Sequence, residues 1–251
     1  MLFIRSLLGN IWLYGCIVFG VVFSSIFGWF VPQGWVVSFW NKFILSSALW
    51  GLKIFNGISI EVRGREHINQ AGAVYAVKHQ SALDTYSMTP LITRGTMVLK
   101  KELMYIPIFG WAAWLYGLVS VDRGAGAKAM KKMLKDAKEK VADNRPIIIF
   151  PEGHRVKAGT CLKYKPGFLF LAQNLNLPVI PVALNTGMFW PRSCFTHLSG
   201  KVIIEFMEPM FPGKDKNAFI DDLQAKIEAK CKELNEETVR NYPDTKRNLA
   251  D

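Results

Sequence analysis

Cysteine is scarce in this sequence, and acidic residues are missing altogether from its first 60 positions. The chain of 251 residues has four cysteines, none of them in a C-x-x-C pair or at the spacing of a zinc finger. Neither a disulfide framework nor a metal site is therefore expected, and the body of the protein should face a reducing cytoplasm. Charged residues make up only 20% of the chain and apolar residues 50%, which excludes a disordered protein.

Three common catalytic signatures are also absent. The chain contains no G-x-S-x-G, no G-x-x-x-x-G-K-[ST] and no H-E-x-x-H sequence. These motifs are typical of serine lipases, nucleotide hydrolases and zinc proteases, respectively. Any chemistry must come from another arrangement of side chains.

The N-terminal part of the chain has the composition of a membrane segment. Residues 6–41 carry no charge, and residues 11–31 are almost continuously apolar. As a helix, that apolar run is ~30 Å long, which equals the thickness of a bilayer's hydrocarbon core. A cleaved signal peptide is the main alternative, but the run is longer than such peptides have and no small-x-small cleavage site follows it. A retained membrane segment is therefore predicted.

A second apolar stretch follows a Pro-Gln-Gly break at residues 32–34. Residues 35–52 are interrupted by Lys42, which suits an interfacial or re-entrant helix better than a second span. The sequence leaves open whether the two stretches form a hairpin in one leaflet or the chain crosses once. Basic residues after the segment outnumber Arg5 before it, so the body is placed in the cytoplasm. We expect residues 1–57 to anchor the protein and residues 58–251 to form one folded α/β domain.

From residue 58 onward, short β-branched runs alternate with helical patterns. This alternation predicts an α/β fold, with a mixed, largely parallel sheet flanked by helices. The predicted strands are residues 59–63, 73–78, 97–99, 119–122, 146–150, 179–184 and 201–206. The predicted helices are residues 81–91, 128–142, about 167–176, and a last amphipathic helix carrying Phe219, Leu223, Ile227, Cys231 and Leu234.

His79 and Asp84 form the first candidate site, at the end of a predicted strand and the start of a predicted helix. If the helix begins at Ser81, Asp84 lies in its first turn and reaches back to the imidazole of His79. The carboxylate then holds one ring nitrogen and leaves the other free to accept a proton. The pair Ser81 and Asp84 also fits a capping box, in which Asp84 serves only the helix terminus. From this motif alone both interpretations stay open.

A second polar turn follows the predicted strand 146–150 and favours a shared site. It contains Glu152, Gly153 and Arg155. Polar turns after two strands of one sheet indicate a ligand site at that edge. Together with Arg123, at the end of another strand, and Lys165, the cationic groups indicate a phosphate clamp.

These residues resemble the conserved blocks of the glycerolipid acyltransferases, in particular the bacterial enzymes that acylate 1-acylglycerol 3-phosphate. The family's H-x-x-x-x-D corresponds to His79 and Asp84, and its F-P-E-G-T-R corresponds to residues 150–155. A second block corresponds to residues 100–103, 107–111 and Arg123, and a fourth, proline-containing block to residues 177–182. The sequence departs from the family at His154, where threonine is usual.

The resemblance implies a function and a set of roles. His79, oriented by Asp84, is expected to act as general base on the glycerol hydroxyl of lysophosphatidic acid, which attacks an acyl thioester directly. The thioester is acyl-CoA or acyl-carrier-protein as co-substrate, and no cofactor is implied. The product, phosphatidic acid, stays with the membrane lipids. The expected substrate-binding residues are Lys101, Arg123, Glu152, Gly153, Arg155 and Lys165.

Two alternatives remain at this stage. The acceptor could be glycerol 3-phosphate or another lysolipid. A protein of another class, a basic scaffold on membranes or nucleic acid, is suggested only by the net charge of +11. Aromatic-flanked basic stripes are missing, so nucleic acid is not expected as a partner, and the charge favours anionic lipid headgroups.

Overall fold

The computed structural model describes residues 1–68, 72–122 and 124–250. Within them, seven strands form one sheet in the order β1-β7-β6-β2-β5-β3-β4. All neighbouring strands are parallel except β6 and β7, so the predicted mixed, largely parallel sheet is confirmed. The strands are β1 Ile58–Arg63, β2 Val74–Val77, β3 Thr96–Lys100, β4 Val119–Val121, β5 Ile147–Ile149, β6 Val179–Leu184 and β7 Gly200–Phe206.

Helices cover both faces of this sheet. They are α1 Leu2–Phe27, α2 Gln33–Phe39, α3 Ser46–Gly51, α4 Ala82–Leu91, α5 Phe109–Tyr116, α6 Gly126–Ala142, α7 Gly167–Leu175, α8 Thr186–Phe189 and α9 Lys216–Asn241. One apolar core lies between the sheet and helices α6, α7 and α9. The other lies on the opposite face and includes residues of α1, α3, α4 and α8. The N-terminal helices therefore share a core with the sheet.

The central strand β2 explains why the prediction of buried strands succeeds. Val74 and Ala76 belong to one core, and Tyr75 and Val77 belong to the other. Because side chains alternate along a strand, a strand covered on both faces is apolar throughout. The continuous apolar run in this segment is the direct result.

Helix α1 has its apolar side chains on the outside. Its buried positions are mostly small or polar: Ser6, Gly9, Asn10, Leu13, Gly20 and Ser24. Its large apolar residues, such as Ile11, Val18 and Phe19, are more than half exposed. By length and composition alone, the helical stretch Leu2–Phe30 could cross a membrane.

The two N-terminal stretches form an antiparallel hairpin. Helices α2 and α3 continue through π-helical turns at Trp40–Leu45 and Leu52–Asn56, which return the chain along α1. The backbones approach closely where α1 meets this return: a side chain at Gly9 would collide with Asn56, and one at Gly51 would collide with Trp12. Glycine at both positions permits this packing.

Both ends of α1 rest on the α/β body. Near its start, the Ser6 hydroxyl accepts the backbone N–H of His197 at 2.9 Å. Near its end, the Ser25 hydroxyl donates to the carbonyl of Ile108 at 3.1 Å. Both ends of α1 are therefore held against the α/β body.

Candidate active site

A cavity of about 1160 Å³ opens at the carboxyl ends of four adjacent parallel strands. His79 reaches it from the turn after β2, Lys100 from the end of β3, Asp122 from the residue after β4, and Gly153 from the turn after β5. Ligands of α/β proteins bind at this edge of the sheet because the loops there converge. The two polar turns singled out in the sequence thus meet at one site.

The carboxylate of Asp84 serves both roles that the sequence left as alternatives. Its Oδ2 lies 3.0 Å from Nδ1 of His79 and accepts the backbone N–H groups of Gln80 and Ser81 at 2.6 Å and 2.8 Å. Ser81 and Asp84 also form a complete capping box at the start of α4. The other oxygen, Oδ1, accepts a hydrogen bond from the Thr186 hydroxyl. Asp84 is fully buried, so every bond that holds it also orients His79.

The ring of His79 is fixed between Asp84 and Phe150. It stacks on the Phe150 ring with a centroid distance of 3.9 Å and an angle of 20° between the planes. An ionised carboxylate only accepts hydrogen bonds, so Nδ1 carries the proton that faces Asp84. Nε2 is then the basic nitrogen, on a side chain that lines the cavity. This is the arrangement of a general base.

Glu152 lies behind the cavity wall, so its position differs from the substrate contact implied by the family resemblance. Its side chain is fully buried and lies 3.2 Å from the Nζ of Lys78. Its Oε1 also accepts the backbone N–H of His79 at 3.3 Å. The carboxylate therefore contacts the turn that carries His79 and is not part of the cavity lining.

Lys78 links Glu152 to helix α9. Its Nζ donates to the carboxylate of Glu228 at 2.5 Å and to the carbonyl of Thr160 at 2.9 Å. Burial raises the pKa of Glu152, and the nearby Lys78 opposes this shift only in part. Burial alone would lower the pKa of Lys78, but Glu152 and Glu228 more than offset it, so the pKa is raised. The ammonium is thus kept charged in the protein interior.

Cationic side chains surround the mouth of the cavity. The residues that line it and carry or can carry positive charge are His79, Lys100, His154, Arg155, Lys165 and Arg192. Gly153 also lines the mouth, with φ of +79°, and a side chain there would lie 2.9 Å from Nζ of Lys165. Glycine permits both the backbone conformation and the approach of the lysine. The cluster of cationic side chains at the mouth attracts an anionic ligand.

Of the six predicted binding residues, the structure describes five and brings three of them to the cavity. Arg155, Lys165 and Gly153 line the cavity. Lys101 is absent from the cavity lining, and its Nζ lies 3.4 Å from Oδ2 of Asp122, while the neighbouring Lys100 takes the position at the mouth. Arg123 lies outside the described residues. The role of each residue toward a substrate stays a prediction.

Sequence reasoning missed several residues of the site. Lys78 and Glu228 are ordinary charged residues in the sequence, and their pairing depends on the packing of α9. Arg192 follows the short helix α8, where no periodic pattern marks it. Phe150 was identified as part of a motif, but its stacking on His79 was not predicted.

The inner part of the cavity is apolar. Its walls come from β3, β4, β5 and the inner face of α6, and include Met97, Val98, Leu118, Val121, Met130, Met133 and Ile149. A polar mouth with an apolar interior fits an amphiphilic ligand, whose charged end stays at the mouth.

Comparison with known proteins places this geometry in a family. The family model described as "Acyltransferase" matches residues 59–185, which contain both polar turns. A 1-acyl-sn-glycerol-3-phosphate acyltransferase from Pseudomonas aeruginosa is 34% identical over 194 residues, covering 77% of this chain and 74% of the relative. One from the plant Limnanthes douglasii is 29% identical over 196 residues, covering 77% of this chain and 67% of the relative.

A solved structure resembles the whole fold. The crystal structure of the 1-acyl-sn-glycerophosphate (LPA) acyltransferase PlsC from Thermotoga maritima matches with a TM-score of 0.75 and 26% sequence identity. The match covers 94% of this chain and 98% of that protein, and thus includes the N-terminal hairpin. Sequence, fold and the paired turns agree, and this chain belongs to the acyltransferase family.

Proposed function

We propose that this acyltransferase transfers a fatty acyl group from a thioester to the sn-2 hydroxyl of 1-acylglycerol 3-phosphate, giving phosphatidic acid. The single observation that carries the proposal is the buried Asp84 bound to Nδ1 of His79, beside a cavity with a cationic mouth and an apolar interior. The names of the relatives from Pseudomonas and Limnanthes support the choice of acceptor.

The chemistry proceeds by direct transfer. Nε2 of His79 takes the proton of the acceptor hydroxyl as its oxygen attacks the thioester carbonyl. The resulting tetrahedral intermediate collapses, the carbon–sulfur bond breaks, and the leaving thiolate takes the proton back from His79. Asp84 stabilises the imidazolium between these two steps. No covalent acyl-enzyme is needed, because both substrates are bound side by side.

The cationic mouth binds the phosphate of the acceptor. Arg155 offers the planar, two-pronged donor geometry that suits phosphate oxygens, and Lys165 adds a point charge. Arg123 joins this clamp in our proposal, as its place in the family motif implies. Lys100 and Arg192 also line the mouth and are available for anionic groups of the donor.

The N-terminal hairpin holds the protein on the bilayer that contains its acceptor and product. Its exposed face is apolar, and its few charges are basic, which suits the cytoplasmic side of a bacterial inner membrane. The donor, acyl-CoA or acyl-carrier-protein, then arrives from the aqueous side. The division into an anchor of residues 1–57 and a catalytic domain of residues 58–251 belongs to this proposal.

A crossed substrate assay tests the proposal. Purified full-length protein is given 1-acylglycerol 3-phosphate, glycerol 3-phosphate or a zwitterionic lysophospholipid, each with acyl-CoA and with acyl-carrier-protein thioester. Phosphatidic acid should form from 1-acylglycerol 3-phosphate at the highest kcat/KM. A preference for glycerol 3-phosphate or for the zwitterionic acceptor would contradict the proposed substrate.

A further inference from the structure

The α/β body exposes a strip of large apolar side chains of its own, apart from the N-terminal hairpin. It runs through the turn after β3 and along α5, and we refer to it as the lip. Its members are Leu103, Tyr105, Ile106, Ile108, Trp111 and Trp114, each between 39% and 68% exposed. Contiguous apolar surface of this kind marks a binding site for another molecule or for a membrane.

The lip is continuous with the exposed face of the hairpin. The Trp114 ring stacks on the ring of Trp29 at 5.3 Å, with 28° between the planes. The Ser25 hydroxyl donates to the carbonyl of Ile108, which joins α1 directly to the lip. Phe30, next to Trp29, is 84% exposed. A single apolar surface therefore extends from the hairpin onto the catalytic body.

The inner side of the lip forms part of the cavity mouth. Leu103, Ile106 and Phe109 line the cavity that also contains His79. The lip thus separates the cavity from the exterior on the side that adjoins the hairpin. A ligand that passes over the lip therefore enters the cavity that also contains His79.

The backbone of the lip is held in an unusual conformation. Ile108 has φ of +67° and ψ of −51°, which β-branched residues normally avoid. Gly110 sits so close to the carbonyl of Met104 that any side chain there would collide with it. Such strain persists only where the surroundings enforce it, and the bond from Ser25 is one such contact.

We propose that the lip is a second membrane-inserting surface, distinct from the hairpin, which enters the hydrocarbon of the leaflet and passes the lysolipid acceptor sideways into the cavity. This inference rests on the proposed function. The exposed tyrosine and tryptophans suit the boundary between headgroups and acyl chains. Lys100 and Lys101, at the base of the lip, suit the anionic headgroups above it. The occupant of the surface is therefore lipid.

An activity assay with two forms of acceptor tests the lip. The variant Trp111→Glu, which lies outside the cavity lining, is compared with Phe211→Glu. Phe211 is also exposed, but it follows Met210, which pairs with the start of β6 at the opposite edge of the sheet. With long-chain 1-acylglycerol 3-phosphate in phosphatidylethanolamine and phosphatidylglycerol vesicles, Trp111→Glu should lose at least tenfold in kcat/KM. With a dispersed short-chain acceptor it should stay within twofold of the parent protein, and Phe211→Glu should be unchanged in both assays.

Two activity results would overturn the proposal. Unchanged activity of Trp111→Glu on vesicles would show that the lip stays out of the leaflet. An equal loss in both assays would show that Trp111 only shapes the cavity.

A fluorescence measurement needs no turnover and so separates this inference from the proposed function. The emission difference between the parent protein and Trp111→Phe reports Trp111 alone, and brominated acyl chains in the vesicles should quench it. Lack of quenching would contradict insertion of the lip. Quenching without any acylation would support membrane insertion of the lip and contradict the proposed function.

Discussion

The hairpin and the α/β body bury opposite kinds of side chain. Helix α1 buries Ser6, Asn10 and Ser24 and exposes its phenylalanines and most of its isoleucines. Strand β2, in the body, buries every one of its apolar residues. The same preference for apolar surroundings produces both patterns if the outside of α1 faces hydrocarbon and the outside of the body, apart from the lip, faces water. The contrast supports our proposal that the exposed face of the hairpin meets the membrane.

The two regions also differ in the charged groups that they bury. No acidic residue occurs in the hairpin, and its buried polar groups are neutral hydroxyls and amides. The body buries ionisable groups, including Lys78, Asp84 and Glu152, immediately around the turn that carries His79. Buried charges are costly unless they are paired, so a concentration of paired charges marks the place where precise positioning matters.

The largest expected effect is at the catalytic turn, where the contrast in charge is sharpest. His79→Ala should lower kcat by ~10² to 10⁴, because the general base is removed. Asp84→Asn should lose a similar amount, since an amide no longer stabilises the imidazolium. The control His67→Ala, in a turn after β1 at the other edge of the sheet, should be unaffected. Steady-state kinetics and thermal unfolding are measured together. An Asp84→Asn protein that is less stable but fully active would show that Asp84 serves only the helix terminus.

The next effect concerns the buried ion pair. Glu152→Ala removes one partner of Lys78 and the acceptor of the His79 backbone N–H. Breaking a buried pair in this way should lower the free energy of unfolding by about 3 to 5 kcal/mol. Glu236→Ala, at an exposed position of α9, should change it by less than ~0.5 kcal/mol. Chemical denaturation in detergent micelles gives both values. Equal stability of the two variants would show that Glu152 contributes nothing from behind the turn.

Removal of a guanidinium at the cavity mouth should have a smaller effect. Arg155→Ala should raise the acceptor KM roughly 10- to 150-fold, because a charged, two-pronged contact is worth about 1.5 to 3 kcal/mol. Arg155→Lys should recover part of the loss, since it keeps the charge without the fork. Arg247→Ala, an exposed arginine of the C-terminal turn, serves as the control. Saturation curves in each substrate distinguish the roles: a defect in the donor KM alone would assign Arg155 to the donor.

The smallest expected effect is a change in the pH dependence of stability, caused by His197 at the contact between the hairpin and the body. The backbone of His197 donates to Ser6 of the hairpin, and burial lowers the pKa of its side chain from 6.5 to about 4. A depressed pKa means that the neutral ring stabilises the fold above pH 6.5 and that this contribution is lost as the pH falls towards 4. Between pH 7 and pH 5 the loss should be about 2 kcal/mol. His197→Phe should remove this part of the pH dependence, as measured by denaturation at both pH values. If His197→Phe lost as much unfolding free energy between pH 7 and pH 5 as the parent protein, the burial of the His197 ring would be contradicted.

Local patterns predicted much of the fold and the core of the site. Alternation of apolar runs predicted the strands, and the spacing of Ser81 and Asp84 predicted the turn that orients His79. Helix α5 was missed because it is apolar on all sides, with Trp111 and Trp114 exposed, so no amphipathic period marks it. It also begins after the strained Ile108, which no local preference predicts.

Tertiary packing decides what the sequence left unresolved. The family motif implied a substrate contact for Glu152, but its side chain pairs with Lys78, which also pairs with Glu228 on α9. The choice of Lys100 over Lys101 at the cavity mouth depends on the point where β3 ends. These contacts join residues far apart in sequence, and periodicity carries no information about them.

Our central proposal is that the hairpin is the main membrane anchor, with the lip as an additional contact, and that the body supplies the chemistry. It is tested most directly by the double variant Ile11→Asp and Val18→Asp, which changes two exposed positions of α1. Vesicle flotation and turnover of a dispersed short-chain acceptor are measured on the same preparation. Each buried apolar side chain is worth about 1.5 to 3 kcal/mol, so vesicle binding should fall at least tenfold while turnover of the dispersed acceptor is retained. Unchanged flotation, or a loss of turnover in a protein that remains folded, would contradict this division of roles.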